Sequence, residues 1–224
     1  MIGEKEARLY ATMTEHKALV NKTRGFIRWA LARVENPYVA CSFGKDSSVM
    51  LHLILQESKD ICVRFVRWEN ETEHLGNYDE VISKWGDINL TQVNMSRATV
   101  EDRVKERYRT DSYDSYFIGF RMEEAVARRI TIKTHGIFYK MKEGKTRICP
   151  LADWKLRDIA AYCVSNNLPT LDTYERFGFE ERTSSRVPRA DFGIRSQSLR
   201  LLKEKDVSKF NLMLSHFPEL SNYV

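Results

Sequence analysis

Proline and glycine are scarce in this chain of 224 residues, five and ten respectively, so no stretch has the composition of a long flexible linker. No run of 18 or more apolar residues occurs, which excludes a conventional transmembrane helix and any membrane partnership built on one. The opening residues Met1-Ile2-Gly3-Glu4-Lys5-Glu6 are charged and lack the apolar stretch of a secretory signal, so the expected location is the cytoplasm. The four cysteines, Cys41, Cys62, Cys149 and Cys163, stand apart with no C-x-x-C pair, which argues against a disulfide framework and a four-thiolate zinc site. Cys41, Cys62 and Cys163 have apolar neighbours and read as small buried hydrophobes.

What is present is a globular composition, 42% apolar and 30% charged, in a chain long enough for one or two domains with a real core. The net charge of +5 is unevenly placed. Arg182, Arg186, Arg189, Arg195, Arg200 and Lys203 face only Asp191 in residues 182–203, and the rest of the chain is balanced.

Residues 4–34 carry Leu9, Met13, Ala18, Leu19, Phe26, Ile27, Ala30 and Leu31 at helical spacing, which predicts amphipathic helix broken near Gly25 and closed by Asn36-Pro37. Strands are expected at 38–43, 61–68, 88–93 and 116–120. Helices are expected at 47–56, 74–85, 99–108 and 122–135, the last ended by Gly136. A small hairpin is expected over 137–149, turning at Lys142-Glu143-Gly144-Lys145. Asp153 is placed as the cap of a helix over 155–166, Trp154 as a packing anchor and Asp158 as a solvent-facing carboxylate. This alternation implies βαβ units and a doubly wound parallel sheet, an α/β fold. The organisation expected is an N-terminal helical segment (1–35), a nucleotide-binding α/β domain (36–167) and a basic, less regular C-terminal region (168–224).

Ser42-Phe43-Gly44-Lys45-Asp46-Ser47-Ser48 lies between a predicted strand and a predicted helix. There, successive backbone N–H groups and the helix N-terminus create a place for anions. Gly44 removes a Cβ from the approach, Ser42, Ser47 and Ser48 offer hydroxyls, and Lys45 adds charge. Asp46, itself anionic, is left with orienting the loop, capping the helix or holding Mg²⁺. The Walker A pattern fails because no glycine stands five residues before Gly44, and no G-x-G-x-x-G occurs.

Residues 42–47 resemble the S-x-G-K-D-S pyrophosphate-binding motif of the adenine nucleotide alpha hydrolase-like (HUP) superfamily. Within it, the chain resembles the phosphoadenosine phosphosulfate (PAPS) reductase family, which includes the small subunit of ATP sulfurylase. Ile118-Gly119-Phe120-Arg121-Met122-Glu123-Glu124-Ala125-Val126-Ala127-Arg128 is similar to its G-x-R-x-x-E-x-x-x-R signature. Arg147-Ile148-Cys149-Pro150-Leu151-Ala152-Asp153-Trp154-Lys155-Leu156-Arg157-Asp158-Ile159 is similar to its P-L-x-D-W-x-x-x-D-I/V segment. The resemblance implies an adenine nucleotide over residues 42–48, with Arg121 at the carboxyl edge of the sheet as a phosphate fork and Arg128 as a further ligand. Glu124 and Arg128 stand four apart, so an i,i+4 ion pair is the plain alternative for both. The family's Asp-Thr-Gly turn after the second strand is not reproduced at Arg67-Trp68-Glu69, although Glu71-Thr72 matches the pair that follows it.

PAPS reductases resemble one another in a C-terminal Glu-Cys-Gly-Leu-His whose thiolate attacks sulfur; here the tail reads Ser215-His216-Phe217-Pro218-Glu219-Leu220. Both cysteines of a G-F-x-R-T-G-C-x-x-C-P stretch in other relatives are missing from the corresponding Gly178–Pro188, so no iron–sulfur cluster is expected. Three readings of the arginine-rich stretch stay open: a nucleic-acid or polyanion surface, closure over phosphates, or a solvated basic face.

The expected function is therefore nucleotide chemistry with Lys45 and Arg121 as the catalytic pair. ATP, or APS or PAPS, is the substrate, with Mg²⁺, and ATP is cleaved between the α- and β-phosphates to activate an unidentified acceptor. Two alternatives stand beside it: a sulfonucleotide reductase with an atypical or partner-supplied thiol, and a nucleotide-binding, nucleic-acid-associated subunit. A protein partner or homo-oligomer is compatible with each.

Overall fold

A computed structural model describes residues 2–68, 77–95, 112–180, 199–200, 202–204, 206–216 and 218–224. Two helices come first, α1 (Glu4–Thr12) and α2 (Thr14–Leu31). The break falls at Met13, whose backbone is extended at ψ 145°, and Gly25 lies inside α2. The expected break at Gly25 is thus corrected. One glycine costs a helix only about 1 kcal/mol, which the packing of His16, Thr23, Ile27 and Ala30 outweighs.

The sheet has six strands: β1 (Pro37–Ala40), β2 (Cys62–Trp68), β3 (Leu90–Met95), β4 (Ser115–Ile118), β5 (Phe138–Lys140) and β6 (Thr146–Ile148). Their spatial order is β3-β2-β1-β4-β6-β5, with every neighbouring pair parallel except β5 and β6. The 137–149 hairpin forms as expected but is part of the sheet, because β6 pairs with β4. The chain winds outward from β1 to β3, then returns to β4 on the other side of β1. That reversal makes a crevice at the carboxyl ends of β1 and β4, where doubly wound folds bind ligands.

Val39, Val63, Phe117 and Ile148 line one face of the sheet and pack against α3 (Lys45–Leu55), α2 and α6 (Leu156–Ser165). Between these elements lie α4 (Tyr78–Ser83) and α5 (Val126–His135). Helix α5 starts four residues later than expected because residues 121–124 are held in a turn: Met122 donates to Ala152 O, and Glu123 accepts from Leu156 N at 2.6 Å. Gly136, at φ 83°, ends it as expected. Two further helices, α7 (Asp172–Phe177) and α8 (Val207–His216), follow. Leu199, Phe210, Met213 and Leu220 form a small apolar cluster of their own near the C-terminus.

The start of α6 corrects two assignments. Asp153 does not cap it but reaches Lys22 at 3.3 Å, and Asp158 Oδ2 accepts the Lys155 N–H at 2.7 Å. Asp158 is buried, not solvent-facing, and its Oδ1 accepts from the Tyr10 hydroxyl at 2.9 Å. Trp154 is the packing anchor expected, 1% exposed, with its indole N–H on Thr23 Oγ1 at 2.8 Å. Helix 99–108, Glu71-Thr72 and Arg182, Arg186, Arg189 and Arg195 lie outside the described residues. Among the described residues, no helix is long and apolar enough to cross a membrane.

Candidate functional site

Residues 41–44 leave β1 and turn into α3 at the crevice. The turn is made at Phe43, which takes the left-handed region at φ 51° while its ring is fully buried edge-on to Phe65, with centroids 5.3 Å apart. The buried ring compensates for a backbone conformation that a bulky residue seldom adopts. Gly44, at φ −75° and ψ 162°, has a conformation open to any residue.

Serines tie the loop to the first turn of α3. Ser47 Oγ accepts the Ser42 N–H at 3.2 Å, lies 3.1 Å from Ser42 Oγ, and donates to Gly44 O at 3.0 Å. The Ser48 N–H closes the first bond of α3, on Gly44 O at 2.9 Å, whereas its buried hydroxyl has no partner among the described residues. The Asp46 and Ser47 amides find no acceptor among the described residues, as befits N–H groups at a helix start. Lys45 is 6% exposed, with Nζ 3.6 Å from Asp46 Oδ2.

The second half of the site comes from the end of β4. A Cβ on Gly119 would stand 3.3 Å from Asp46 C and O and Ser47 N, so the β4 loop approaches α3 to a distance that suits glycine. Arg121, 4% exposed, donates from Nε to Asp46 Oδ1 at 2.5 Å and from Nη1 to Glu123 Oε2 at 3.0 Å. Six of the loop residues named from sequence, together with Ser48 and Arg121, are therefore brought together. Arg128 is directed elsewhere: it pairs with Glu124 and stands 4.5 Å over the Phe120 ring.

Two contributors escaped sequence reasoning. The Tyr174 hydroxyl accepts the Lys45 N–H at 3.2 Å, and its ring lies 5.1 Å beneath Lys45 Nζ. Phe179 stacks on that ring at 5.9 Å. No local pattern marks Tyr174, since its partner is 129 residues away. Gly119 was visible as the first letter of the G-x-R signature, but the contact that requires it was not.

Asp46 offers a poor fit to a resident magnesium ion. Both carboxylate oxygens face cations, Arg121 and Lys45, and no group of three or more His, Cys, Asp or Glu among the described residues is placed to hold a metal. Thiol chemistry is similarly constrained. Burial pushes the Cys41 and Cys149 thiols up to about 12 and raises Cys163 as well, with Asp46 adding to the last. Cys62 is half-buried and accepts from the Tyr113 hydroxyl at 3.0 Å.

The chain is similar to the phosphoadenosine 5'-phosphosulfate reductase of Alkalilimnicola ehrlichii, 25% identical over 169 residues that cover 64% of this chain and 67% of that protein. Its fold is similar to that of Candida auris PAPS reductase in a phosphate complex, with a TM-score of 0.52 and 15% identity over 71% of this chain and 87% of that one. It is also similar to that of Candida glabrata FMN adenylyltransferase in complex with FMN and the ATP analog AMPCPP, with a TM-score of 0.62 and 17% identity over 81% and 70% of the two chains. The family model described as phosphoadenosine phosphosulfate reductase domain matches residues 36–180, the stretch from the start of β1 to the end of the Tyr174–Phe179 stack, and the chain belongs to that family.

Proposed function

We propose that this chain binds ATP with its phosphates on residues 42–48 and cleaves it between the α- and β-phosphates, transferring the adenylyl group to an acceptor oxyanion. The observation that supports this reading best is the pair of amides at Asp46 and Ser47, without an acceptor among the described residues, beside Lys45 at the carboxyl end of β1. An acceptor oxygen attacks the α-phosphorus, and the bond to the bridging oxygen breaks as pyrophosphate leaves. The amides and Lys45 neutralise charge on the departing pyrophosphate, which costs no reorganisation because the loop is already built. Arg121 fixes Asp46, and through it the loop, while adding positive charge at the β4 side. Tyr174 holds Lys45 from below. Any magnesium in such a reaction belongs to the nucleotide it arrives with.

A second reading, reduction of a sulfonucleotide, is favoured by the name of the curated relatives. It requires a thiolate, and the three buried cysteines are poor candidates, so the thiol would be an atypical one or come from a partner. A nucleic-acid role for the basic stretch rests on residues of which Arg200 and Lys203 alone are described.

The discriminating experiment offers the purified protein ATP, APS and PAPS and scores pyrophosphate, AMP and, with thioredoxin, sulfite. Pyrophosphate release that falls about 100-fold in Lys45→Ala supports adenylyl transfer. Sulfite release from PAPS without pyrophosphate release from ATP overturns it in favour of reduction.

A further inference from the structure

Charge outside residues 182–203 balances in total but not in place. Residues 128–147 hold seven lysines and arginines against Glu143 alone. Two of the seven are turned inward: Arg128 pairs with Glu124, and buried Arg147 donates from Nε to Tyr116 Oη at 2.6 Å. Arg129 and Lys133 on α5, Lys140 at the end of β5 and Lys142 in the hairpin turn are exposed. Among the described residues none of these four pairs with a carboxylate, whereas Arg8, Lys22, Lys84 and Arg157 elsewhere on the surface each hold one.

The topology strings these cations out. Strand β5 closes one side of the described sheet, and α5 runs into it through Gly136. At about 3.3 Å per strand residue, the row from the last turn of α5 to Lys142 extends on the order of 20 Å. A row of that length matches a chain of phosphates, about 3.4 Å apart along a nucleic-acid strand, better than one compact anion. One lysine on an edge strand guards against unwanted strand pairing, but the rings beside β5 need another account. Phe138 and Tyr139 point to opposite faces, and each meets an exposed ring. Trp29, 42% exposed, lies edge-on to Phe138 with centroids 5.1 Å apart, and His135 stacks on Tyr139 at 5.2 Å. The Arg33 guanidinium stands 4.2 Å over the Trp29 ring, and an arginine plane is itself a surface on which a base stacks.

We propose that the β5 edge is a docking surface for a single-stranded nucleic acid, with phosphates on Arg129, Lys133, Lys140 and Lys142 and bases on His135 and the Trp29–Arg33 pair. Cations interleaved with exposed rings suit a single strand, because its unpaired bases offer ring faces as well as charge. A duplex presents its phosphates but keeps those faces stacked inside, and an acidic peptide has none to offer. An anionic membrane calls for a broad apolar helix face, and the exposed apolar side chains of α5 are Val126 and Ile130 alone. The surface is separate from the 42–48 loop and does not depend on which reaction the loop supports.

The test is fluorescence anisotropy of labelled single strands of about 20 nucleotides, deoxy and ribo, titrated with the full-length chain from about 50 to 200 mM salt. A duplex of the same length, polyglutamate and phosphatidylglycerol vesicles are the competitors. Two variants are compared with wild type after unfolding curves confirm that they are folded. Lys133→Gln/Lys140→Gln/Lys142→Gln is expected to weaken single-strand binding at least about tenfold and to make its salt dependence shallower by about 2 in log–log slope. Trp29→Leu/His135→Ala is expected to weaken it about fivefold or more at unchanged slope, because stacking releases no counterions. Tighter ribo than deoxy binding assigns the partner to RNA, and equal binding assigns the surface to any single strand. Absence of single-strand binding, an affinity that survives either variant, or equal or better competition by duplex, polyglutamate or vesicles overturns the proposal.

Discussion

Arg121 Nε donates to Asp46 Oδ1 at 2.5 Å, across 75 residues of sequence, and so fastens the end of β4 to the first turn of α3. Each residue had a separate part in the sequence reading, one as a phosphate fork and the other as a loop orienter or metal ligand. Their pairing makes them one device. Because Arg121 is 4% exposed, removing its partner strands a buried charge. Asp46→Asn is expected to cost about 2 kcal/mol, less than full loss of a buried pair because Glu123 still accepts from Arg121. Denaturant unfolding of Asp46→Asn, Arg121→Gln and the double variant checks this: coupling above about 1 kcal/mol is expected, and additive effects would contradict the pairing.

Gly119 gives a sharper test of the loop's position. An alanine there meets the Asp46 and Ser47 backbone at 3.3 Å, so the first turn of α3 must move by a few tenths of an ångström. Gly119→Ala is expected to weaken ATP binding about tenfold or more while costing about 1–3 kcal/mol of stability. Calorimetric titration beside thermal unfolding separates the two effects.

Much of this arrangement was legible in the sequence, and what was not has a common cause. The strands and the loop between β1 and α3 are written in local runs, apolar segments followed by Ser-Phe-Gly-Lys, and Gly136 ends its helix by a local rule. The helix break at Met13 has no glycine or proline beside it, so no local punctuation marks it. Asp158 looked solvent-facing because its hydroxyl partner, Tyr10, is 148 residues away. Tyr174 was hidden from Lys45 in the same way, by 129 residues of sequence.

Asp158 also makes stability depend on pH. Burial opposes its ionisation, yet hydrogen bonds from the Lys155 amide and Tyr10, with His16 3.9 Å away and Arg157 near, hold its carboxyl below the usual range. A carboxylate with a depressed folded pKa adds stability above its unfolded pKa of about 3.9, and loses that contribution as pH falls through the folded value. Stability is therefore expected to decline below about pH 4, and less steeply in Asp158→Asn, which is already destabilised at pH 7. Urea unfolding across the acid range measures both slopes.

The thiols should divide into two classes. Cys41 and Cys149, pushed up to about 12 by burial, and Cys163, raised for the same reason, are expected to resist alkylation in the folded protein at pH 8, whereas half-buried Cys62 reacts first. Mass spectrometry of peptides after brief iodoacetamide treatment identifies the site. Rapid modification of Cys149 would revive the reading in which this chain carries its own nucleophilic thiol.

The central claim is that the phosphates of an adenine nucleotide lie on residues 42–48, and ATP binding by wild-type protein and Lys45→Ala tests it most directly. Both proteins are titrated calorimetrically, after unfolding curves confirm that the variant is folded. The expected result is at least about tenfold weaker binding in the variant, from loss of one charge-assisted contact. Unchanged affinity in a folded Lys45→Ala protein would contradict the assignment of the loop.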